Sequence, residues 1–560
     1  MSKPLMTKTV PQLLEENAKN YASQDAMVYV DRNMRLSHAE LNEKANRVAR
    51  ALLALGIKKG DHVAVWATNY PEWLFAFLGA SKIGAVLVTV NTNYKIFELE
   101  YLLSQSDSKI LFFIQGLKDS NYVDILNELV PEVQCAGHSL DIESDRLPLL
   151  KHVVYIPRFA TDPIPDGYTS WQTFEAMADT VELAAMQTVR DTLECEEIIN
   201  MQYTSGTTGF PKGVMLTHRN IVNNGFFIGE NMKFTDRDRL CIPVPFFHCF
   251  GLVLAYMASL THGATIVPVE HFSPTAVLGA VEAERCTALH GVPTMFIFEL
   301  EHPDFEKYDL SSLRTGIMAG ASCPVKVMDD VRTKMNMSEI VISYGMTETS
   351  PVTTMTNTED SVEKRVNTVG RAMPHAEIKL INPDTGATVG PNTQGELCVR
   401  GYSVMKGYYK MADATKNAID EDGWMHSGDL AMMDDDGYFK ITGRIKDMII
   451  RGGENIYPRE IEELYYTHPD IQDVQVIGVP SKEFGEEVMA WIIPREGTSL
   501  TEDSCKDFVR KNMSRHKVPS YIYFTNTFPM TASGKIQKYK MREEAVTLLN
   551  LQDAASIETA

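Results

Sequence analysis

The chain has 560 residues, and its 53 lysines and arginines against 74 aspartates and glutamates give a formal net charge of −21. At roughly 150 residues per domain, this length predicts about three or four domain-sized units. The hydrophobic fraction of 44% and charged fraction of 23% are typical of globular proteins and exclude collagen-like and disordered classes. The acidic excess argues against nucleic-acid partners, because most of the surface would repel phosphate.

Three further features concern the compartment. The longest apolar stretch, 250–260, is shorter than the roughly 18 to 20 residues that a membrane span needs, so no transmembrane segment is predicted. The first twenty residues lack the apolar core of a secretory signal. The eight cysteines contain no C-x-x-C pair, which is typical of free thiols rather than of a disulfide framework or a zinc site. We therefore expect a cytoplasmic protein.

The first predicted helix begins with a capping box, Ser37 and Glu40, followed by apolar residues at helical spacing. Strand-like runs at 62–67 and 85–90 flank a second helix-like stretch at 71–84, and a similar alternation returns between 221 and 342. This order predicts an α/β fold with largely parallel sheets. From about 370 to 440, short β-like runs separated by turn formers predict a small antiparallel unit, and the tail again mixes helix and strand patterns.

A loop rich in glycine and hydroxyl residues, YTSGTTGFPKG, occupies 203–213 between two strand-like runs. Small residues allow the backbone to approach an oxyanion, and Lys212 adds a compact positive charge suited to phosphate. The G-x-x-x-x-G-K-[ST] pattern of a Walker loop does not fit it, and no helix follows directly. The segment is therefore predicted to be a phosphate-binding hairpin connection.

Four more motifs follow in order: YGMTET (344–349), HSGDL (426–430), GRIKDMII (443–450) and PMTASGK (529–535). With the glycine-rich loop, they resemble the adenylate-forming (ANL) superfamily, which includes acyl-CoA synthetases, peptide-synthetase adenylation domains and firefly-type luciferases. The resemblance covers about residues 10 to 545. It implies an N-terminal AMP-binding domain, 1–445, built from two α/β subdomains and a small β-barrel-like unit. A smaller, mobile α+β C-terminal domain would occupy 446–560.

The reaction implied by this resemblance has two halves and uses ATP, Mg²⁺ and coenzyme A. A carboxylate attacks the α-phosphate of ATP to give an acyl-adenylate and pyrophosphate, and a thiol then displaces AMP. Because two anions must react, the site must neutralise charge. By resemblance, Thr204 and Glu348 would bind Mg²⁺, Thr347 would contact the α-phosphate, and His248 would lie between the acid and the nucleotide.

The remaining nucleotide contacts are also implied by resemblance. Tyr344 and Gly345 would lie against adenine, with Gly320 and Ala321 forming a wall, and Asp429 and Arg444 would anchor the ribose. The triphosphate would be held by residues of the glycine-rich loop: Thr204, Ser205, Gly206, Thr207, Thr208, Gly209 and Lys212.

The C-terminal motifs imply three more roles. Lys535 would present its ammonium group to the α-phosphate and the carboxylate from a mobile loop. Lys446 would be the hinge about which the small domain rotates between the two half-reactions. Gly452 and Gly453 would line the coenzyme A tunnel, since glycine leaves room for a pantetheine arm.

The segment 506–542 reverses the overall charge. It contains nine basic residues (506, 510, 511, 515, 517, 535, 538, 540 and 542) and a single acid, Asp507. Because coenzyme A includes a phosphorylated nucleotide, this segment could form a basic face on which it docks; a solvated cationic face without a ligand is the alternative.

The substrate is predicted from the segment FFHCFG at 246–251, which lacks the aspartate that peptide-synthetase adenylation domains use for an amino group. Phe246, Phe247, Val292, Pro293 and Met295 would supply an apolar wall. The stretch from GRAMPH at 370–375 through GYSVMKGY at 401–408, with SPVT at 350–353, resembles medium- and long-chain fatty acyl-CoA synthetases most closely, which predicts a fatty acid–CoA ligase. An aryl-CoA ligase similar to 4-coumarate ligase and transfer of the acyl group to a carrier protein remain alternatives. The oligomeric state is open, with a homodimer as one alternative.

Overall fold

The computed structural model describes residues 3–552 except 119, 136–140, 205–210, 321–322, 445–446, 452–453, 482–483, 514 and 531–535. The described part is a mixed α/β protein with a large N-terminal portion and a smaller C-terminal portion, as predicted. None of the helices in this part is long and apolar enough to cross a bilayer.

Sheet A has nine described strands. In spatial order they are Arg371–Ala372, Val352–Met355, Glu339–Gly345, Thr315–Met318, Ala288–Leu289, Arg239–Ile242, Thr265–Pro268, Asp25–Tyr29 and Met34–Ser37. The six central strands are parallel, and each of the three outer strands pairs antiparallel with its inner neighbour. Parallel neighbours require crossover connections, which explains why helices alternate with these strands along the chain.

Sheet B has eight described strands. They are Gly407–Tyr408, Lys212–Thr217, Ile198–Thr204, Val86–Thr89, His62–Trp66, Ser108–Phe113, His152–Tyr155 and Thr169–Ser170. The hairpin predicted around the glycine-rich loop is confirmed, because Ile198–Thr204 and Lys212–Thr217 pair antiparallel with Thr204 opposite Lys212. A short ribbon of Gly116–Leu117 and Ser120–Asn121 lies apart from both large sheets.

Helices connect and cover these sheets. Those of the N-terminal portion are Val10–Asn20, His38–Ala54, Pro71–Lys82, Ile96–Gln105, Tyr122–Leu129, Trp171–Ala176, Leu183–Arg190, His218–Asn231, the π-helix Phe250–Met257, Ala258–His262, Pro274–Glu284, Pro293–Leu300, Val325–Lys334, Val362–Asn367 and Ala412–Ala418. Short 3₁₀ turns are Pro131–Cys135, Met177–Thr180, Phe305–Lys307 and Thr347–Thr349. The predicted capping box is confirmed: Ser37 Oγ accepts from the Glu40 N–H, and the Glu40 carboxylate accepts from the Ser37 N–H.

The main hydrophobic core lies between sheets A and B. Buried residues of both sheets belong to one apolar cluster with those of the helices between them. Every residue of Phe250–Met257 is buried, and so is every residue of Pro71–Lys82 except Glu72, so these two helices are covered on nearly all sides. The predicted sites follow strand ends, because Tyr344 lies at the end of Glu339–Gly345 and Thr204 ends Ile198–Thr204. Ligands of open α/β sheets bind at such carboxyl ends.

Sheet C is the antiparallel unit predicted between about 370 and 440. Its strands are Ala376–Ile381, Gly395–Gly401, Met425–Met433 and Phe439–Arg444. The second and third strands contain a bulge, since Glu396 pairs with Leu430 whereas Cys398 pairs with His426. Three residues, 427–429, therefore face one residue of the neighbouring strand, and this bulge includes Asp429.

The C-terminal portion is built on sheet D, whose strands are Glu454–Ile456, Ile449–Arg451, Gly485–Pro494, Ile471–Ser481 and Tyr521–Phe524. Its helices are Pro458–Tyr466, Glu502–Asn512 and Lys538–Leu548, and a 3₁₀ turn is formed by Arg515–Lys517. Two apolar clusters of its own stabilise it, separate from the main core. Polar contacts join it to the rest: Arg459 donates to the Ile441 carbonyl at 2.8 Å, and Arg495 pairs with Glu301 at 2.6 Å. The predicted domain boundary at 445/446 lies outside the described residues.

Candidate active site

The described end of the glycine-rich loop meets the strand Gly407–Tyr408. Lys212 places its Nζ 5.0 Å from the centroid of the Tyr408 ring, which is a cation–π arrangement. Ser205, Gly206, Thr207, Thr208 and Gly209 lie outside the described residues. Thr204 and Lys212 are direct neighbours across the hairpin, so both ends of the predicted phosphate loop are held in register by sheet B.

Glu348 follows strand Glu339–Gly345 in the turn Thr347–Thr349, and only 7% of its surface is exposed. Its Oε1 accepts a hydrogen bond from the Tyr408 hydroxyl at 2.8 Å. Burial, followed by the charge of Glu348, raises the pKa of Tyr408, so the phenol remains a donor to this carboxylate. Tyr408 thus joins Lys212, on its ring face, to Glu348, at its hydroxyl.

Sequence reasoning did not assign a role to Tyr408. The residue lies 60 positions from Glu348 and 196 from Lys212 in the chain. Two backbone contacts bring it to them: Gly407–Tyr408 pairs with Lys212–Thr217, and the Met405 N–H donates to the Glu348 carbonyl at 2.9 Å. The oxygen donors of Thr204 and Glu348 are of the kind that Mg²⁺ prefers, so these residues fit the predicted ion.

The segment predicted to contact the acid lies against the YGMTET motif. The sulfur of Cys249 is 3.7 Å from the Thr347 hydroxyl, and Thr347 is buried. His248 Nδ1 accepts from the N–H of Phe250 at 3.1 Å, so a neutral His248 ring bears its proton on Nε2. The structure therefore brings His248 and Thr347 to the same region, since the Cys249 sulfur is 3.8 Å from His248 Nδ1 and 3.7 Å from the Thr347 hydroxyl.

Tyr344 and Asp429 form the predicted adenosine side of the site. The Tyr344 hydroxyl donates to Asp429 Oδ2 at 2.6 Å, and Asp429 is directly opposite Arg444 in sheet C. The bulge that includes Asp429 is held by Glu396, whose Oε1 accepts the Gly428 N–H at 3.0 Å. The side chain of Arg444 lies outside the described part. Bulges re-aim side chains, and this one directs Asp429 to Tyr344.

Two glycines of the predicted site resist substitution, Gly345 because of a backbone clash and Gly320 because of its positive φ and a tight contact. A Cβ on Gly345 would lie 1.8 Å from the Pro351 carbonyl oxygen, a backbone atom that cannot rotate away. Gly320 has φ of +87°, and its Cβ would lie 3.2 Å from Val292 Cγ1 and 4.0 Å from the Phe250 ring. The predicted adenine wall at Gly320 is therefore adjacent to the predicted acyl wall at Val292.

Five predicted site residues of other segments lie outside the described residues: Ala321, Lys446, Gly452, Gly453 and Lys535. Their roles remain those that the resemblance implies.

We expect Asp429→Ala to raise the KM for ATP about tenfold or more. The change removes the carboxylate predicted to accept a hydrogen bond from the ribose, and a hydrogen bond to a charged acceptor contributes roughly 1.5–3 kcal/mol. A double-mutant cycle with Tyr344→Phe should give a coupling free energy of about 0.5–3 kcal/mol in ATP binding. Asp435→Ala is the matched control: Asp435 is exposed in the neighbouring hairpin turn and accepts from Asn392, and its loss should leave the KM unchanged. Independent effects of Asp429→Ala and Tyr344→Phe would contradict this pairing.

Comparisons with known proteins identify the family of the chain. A model of the AMP-binding enzyme family matches residues 14–409, and a model of the AMP-binding enzyme C-terminal domain matches 460–535. The chain belongs to the AMP-binding enzyme family. It is 53% identical over 550 residues to the putative acyl-CoA synthetase YngI of Bacillus subtilis, covering 98% of this chain and 99% of that protein. It is 42% identical over 554 residues to the mitochondrial medium-chain acyl-CoA ligase ACSF2 of Bos taurus, covering 98% and 89%.

Solved structures agree. The anthranilate CoA ligase AuaEII in complex with anthranoyl-AMP superposes with a TM-score of 0.85 at 25% identity, covering 98% of this chain and 99% of that one. ATP-bound MatB from Rhodopseudomonas palustris gives a TM-score of 0.81 at 27% identity, covering 97% and 100%. The predicted ANL fold is confirmed, as is the prediction of an acid–thiol ligase that acts through an adenylate and uses ATP and coenzyme A. As a member of this family, the chain is an AMP-binding enzyme.

Proposed function

We propose that this AMP-binding enzyme ligates a medium- or long-chain fatty acid to coenzyme A through an acyl-adenylate, releasing AMP and pyrophosphate. The main support is the contact between the candidate nucleotide site and an apolar wall: the space at Gly320 is bounded by Val292 and Phe250. Phe246 and Met295 are buried beside them, and all of Phe250–Met257 is buried. An alkyl chain extending from a carboxylate near His248 would contact this wall.

The proposed roles of the polar residues follow from charge. A Mg²⁺ ion held by Thr204 and Glu348 would offset the phosphate charge during attack on the α-phosphate. The glycine-rich loop and Lys212 would bind the triphosphate, and Thr347 would donate to the α-phosphate. Tyr344 would lie against adenine.

The proposed roles of the C-terminal residues divide the two half-reactions. Lys535 would act in adenylation, and rotation about Lys446 would bring Gly452 and Gly453 to the acyl-adenylate for thioester formation. This proposal includes the domain boundary at 445/446. The cytoplasmic location, the magnesium requirement and the homodimer remain predictions.

The test of chain length is a pyrophosphate-release assay across saturated acids from acetate to stearate and a set of aryl acids, with free coenzyme A as acceptor. Each methylene that is buried against the apolar wall contributes about 0.8 kcal/mol. The kcat/KM should therefore rise about fourfold per carbon until the chain extends beyond the wall. An optimum among benzoates or anthranilate would support the aryl alternative, which the similarity to AuaEII favours. Turnover only with a phosphopantetheine carrier protein would support the second alternative.

A variant of the wall sharpens this assay. Val292→Leu should shift the optimum towards shorter acids, because the longer side chain occupies space beside Gly320. Val281→Leu is the matched control: Val281 is fully buried in the helix Pro274–Glu284, in an apolar cluster separate from the main core, and the same change there should not alter the chain-length profile. Identical profiles for both variants would contradict an acyl wall at Val292.

A further inference from the structure

Three potential metal ligands of sheet C converge on one point. Cys398 and His426 are directly opposite each other on neighbouring strands, and Glu396 lies two residues before Cys398, on the same face of its strand. His426 Nδ1 is 3.6 Å from Cys398 Sγ and 3.2 Å from Glu396 Oε2. The donor atoms of all three side chains lie within 4.8 Å of one another.

The two distances from His426 Nδ1 are close to those between donors of a tetrahedral coordination shell. With metal–sulfur bonds of about 2.3 Å and metal–nitrogen or –oxygen bonds of about 2.0–2.1 Å, tetrahedral donors lie roughly 3.3–3.6 Å apart. Thiolate and imidazole donors favour Zn²⁺ over Mg²⁺. The cluster is therefore chemically different from the oxygen donors of Thr204 and Glu348.

The surroundings of His426 orient its ring for coordination. Asp420 Oδ2 lies 3.6 Å from Nε2, on the side of the ring away from Cys398. Without a bound ion, Glu396 Oε2, 3.2 Å from Nδ1, competes for the ring proton. When an ion binds both Glu396 and Nδ1, a neutral ring carries its proton on Nε2, the nitrogen that faces Asp420. The side chains of His426 and Asp420 are 31% and 34% exposed, whereas Cys398 is buried, so an ion could enter from solvent and reach the thiol.

We propose that Glu396, Cys398 and His426 form a Zn²⁺ site that Asp420 orients, with water in the fourth position. On binding, the Cys398 S–H bond breaks, its proton passes to solvent, and a zinc–sulfur bond forms. The ion would bridge two strands of sheet C at the bulge that includes Asp429, because the same Glu396 carboxylate accepts the Gly428 N–H. The spacing of the cysteines did not predict this site. Its ligands come from two strands and include only one cysteine, so no C-x-x-C pair marks it in the sequence.

The test uses full-length protein stripped of metal by a chelator and desalted. Calorimetric titration with Zn²⁺ should show one bound ion per chain. Thermal unfolding of the Zn²⁺-loaded protein should give a higher Tm than that of the metal-free protein. Titration with Co²⁺ should give a thiolate-to-metal charge-transfer absorption. Cys398→Ser should abolish that absorption, and Asp420→Asn, which keeps all three ligands, should keep the absorption while weakening Zn²⁺ binding about 10- to 100-fold.

Cys195→Ser is the matched control. Among the seven cysteines that the structure describes as free thiols, Cys195 is partly exposed and the other six are buried. It should leave both titrations unchanged. Absence of stoichiometric Zn²⁺ binding, or persistence of the Co²⁺ absorption in Cys398→Ser, would mean that the cluster is only hydrogen-bonded. Equal Zn²⁺ affinity in Asp420→Asn would refute the orienting role.

Discussion

Replacing Glu348 by glutamine is expected to lower the rate of adenylation by roughly 10²- to 10³-fold, the cost of removing one electrostatic contact in a transition state. Glutamine keeps the shape of the side chain and can still accept from the Tyr408 hydroxyl, which donates to Glu348 at 2.8 Å in the structure. The change therefore removes the charge proposed to hold Mg²⁺ and little else. ATP–pyrophosphate exchange, measured across a Mg²⁺ titration, should show both the loss of rate and a higher Mg²⁺ requirement.

Tyr408→Phe is the comparison variant. It removes the hydroxyl but keeps the ring that Lys212 contacts and the Glu348 carboxylate. One hydrogen bond to a charged acceptor contributes roughly 1.5–3 kcal/mol, which corresponds to about 10- to 150-fold. We expect a loss towards the lower end of this range, smaller than that of Glu348→Gln, because the Glu348 charge is kept. Normal exchange in Glu348→Gln, with an unchanged Mg²⁺ dependence, would contradict the proposed role of this carboxylate.

Replacing Lys535 by alanine is expected to abolish adenylation and largely spare thioester formation from preformed acyl-adenylate. The ammonium group is proposed to neutralise the negative charges of the α-phosphate and the attacking carboxylate. These two groups approach each other only in the first half-reaction. We expect a loss of at least roughly 10²–10³-fold in ATP–pyrophosphate exchange. The second half-reaction is measured separately, by supplying acyl-adenylate and coenzyme A and following AMP release.

Lys540→Ala serves as the control for charge alone. Lys540 is five residues along the same segment, is exposed, and lies 6.0 Å from the Tyr539 ring. Its replacement changes the net charge of the segment by the same amount and should leave both half-reactions intact. Intact exchange in Lys535→Ala, or equal loss of both half-reactions, would refute the assignment to adenylation.

Several basic side chains of the segment 506–542 form ion pairs that the sequence did not predict. Lys538 pairs with Glu462 at 2.6 Å, Arg542 with Asp447 at 2.9 Å, and Lys517 with Glu460. Lys506 and Arg510 pair with Glu502 and Asp507 on their own helix. These five basic side chains pair with acids, four of which lie outside 506–542, so a count of basic residues overstates the positive charge of the segment; docking of coenzyme A there remains a prediction.

The sequence by itself determined the family, the alternation of helix and strand, the capping box at Ser37 and the hairpin around the glycine-rich loop, because each depends on residues close together in the chain. The tertiary structure alone decided which distant side chains meet: Tyr408 between Lys212 and Glu348, Glu396 at the bulge beside Asp429, and Cys398 beside His426. These contacts depend on strand register and on one bulge. Local periodicity predicts that a strand exists, but it does not predict which residue lies opposite on a strand tens or hundreds of positions away.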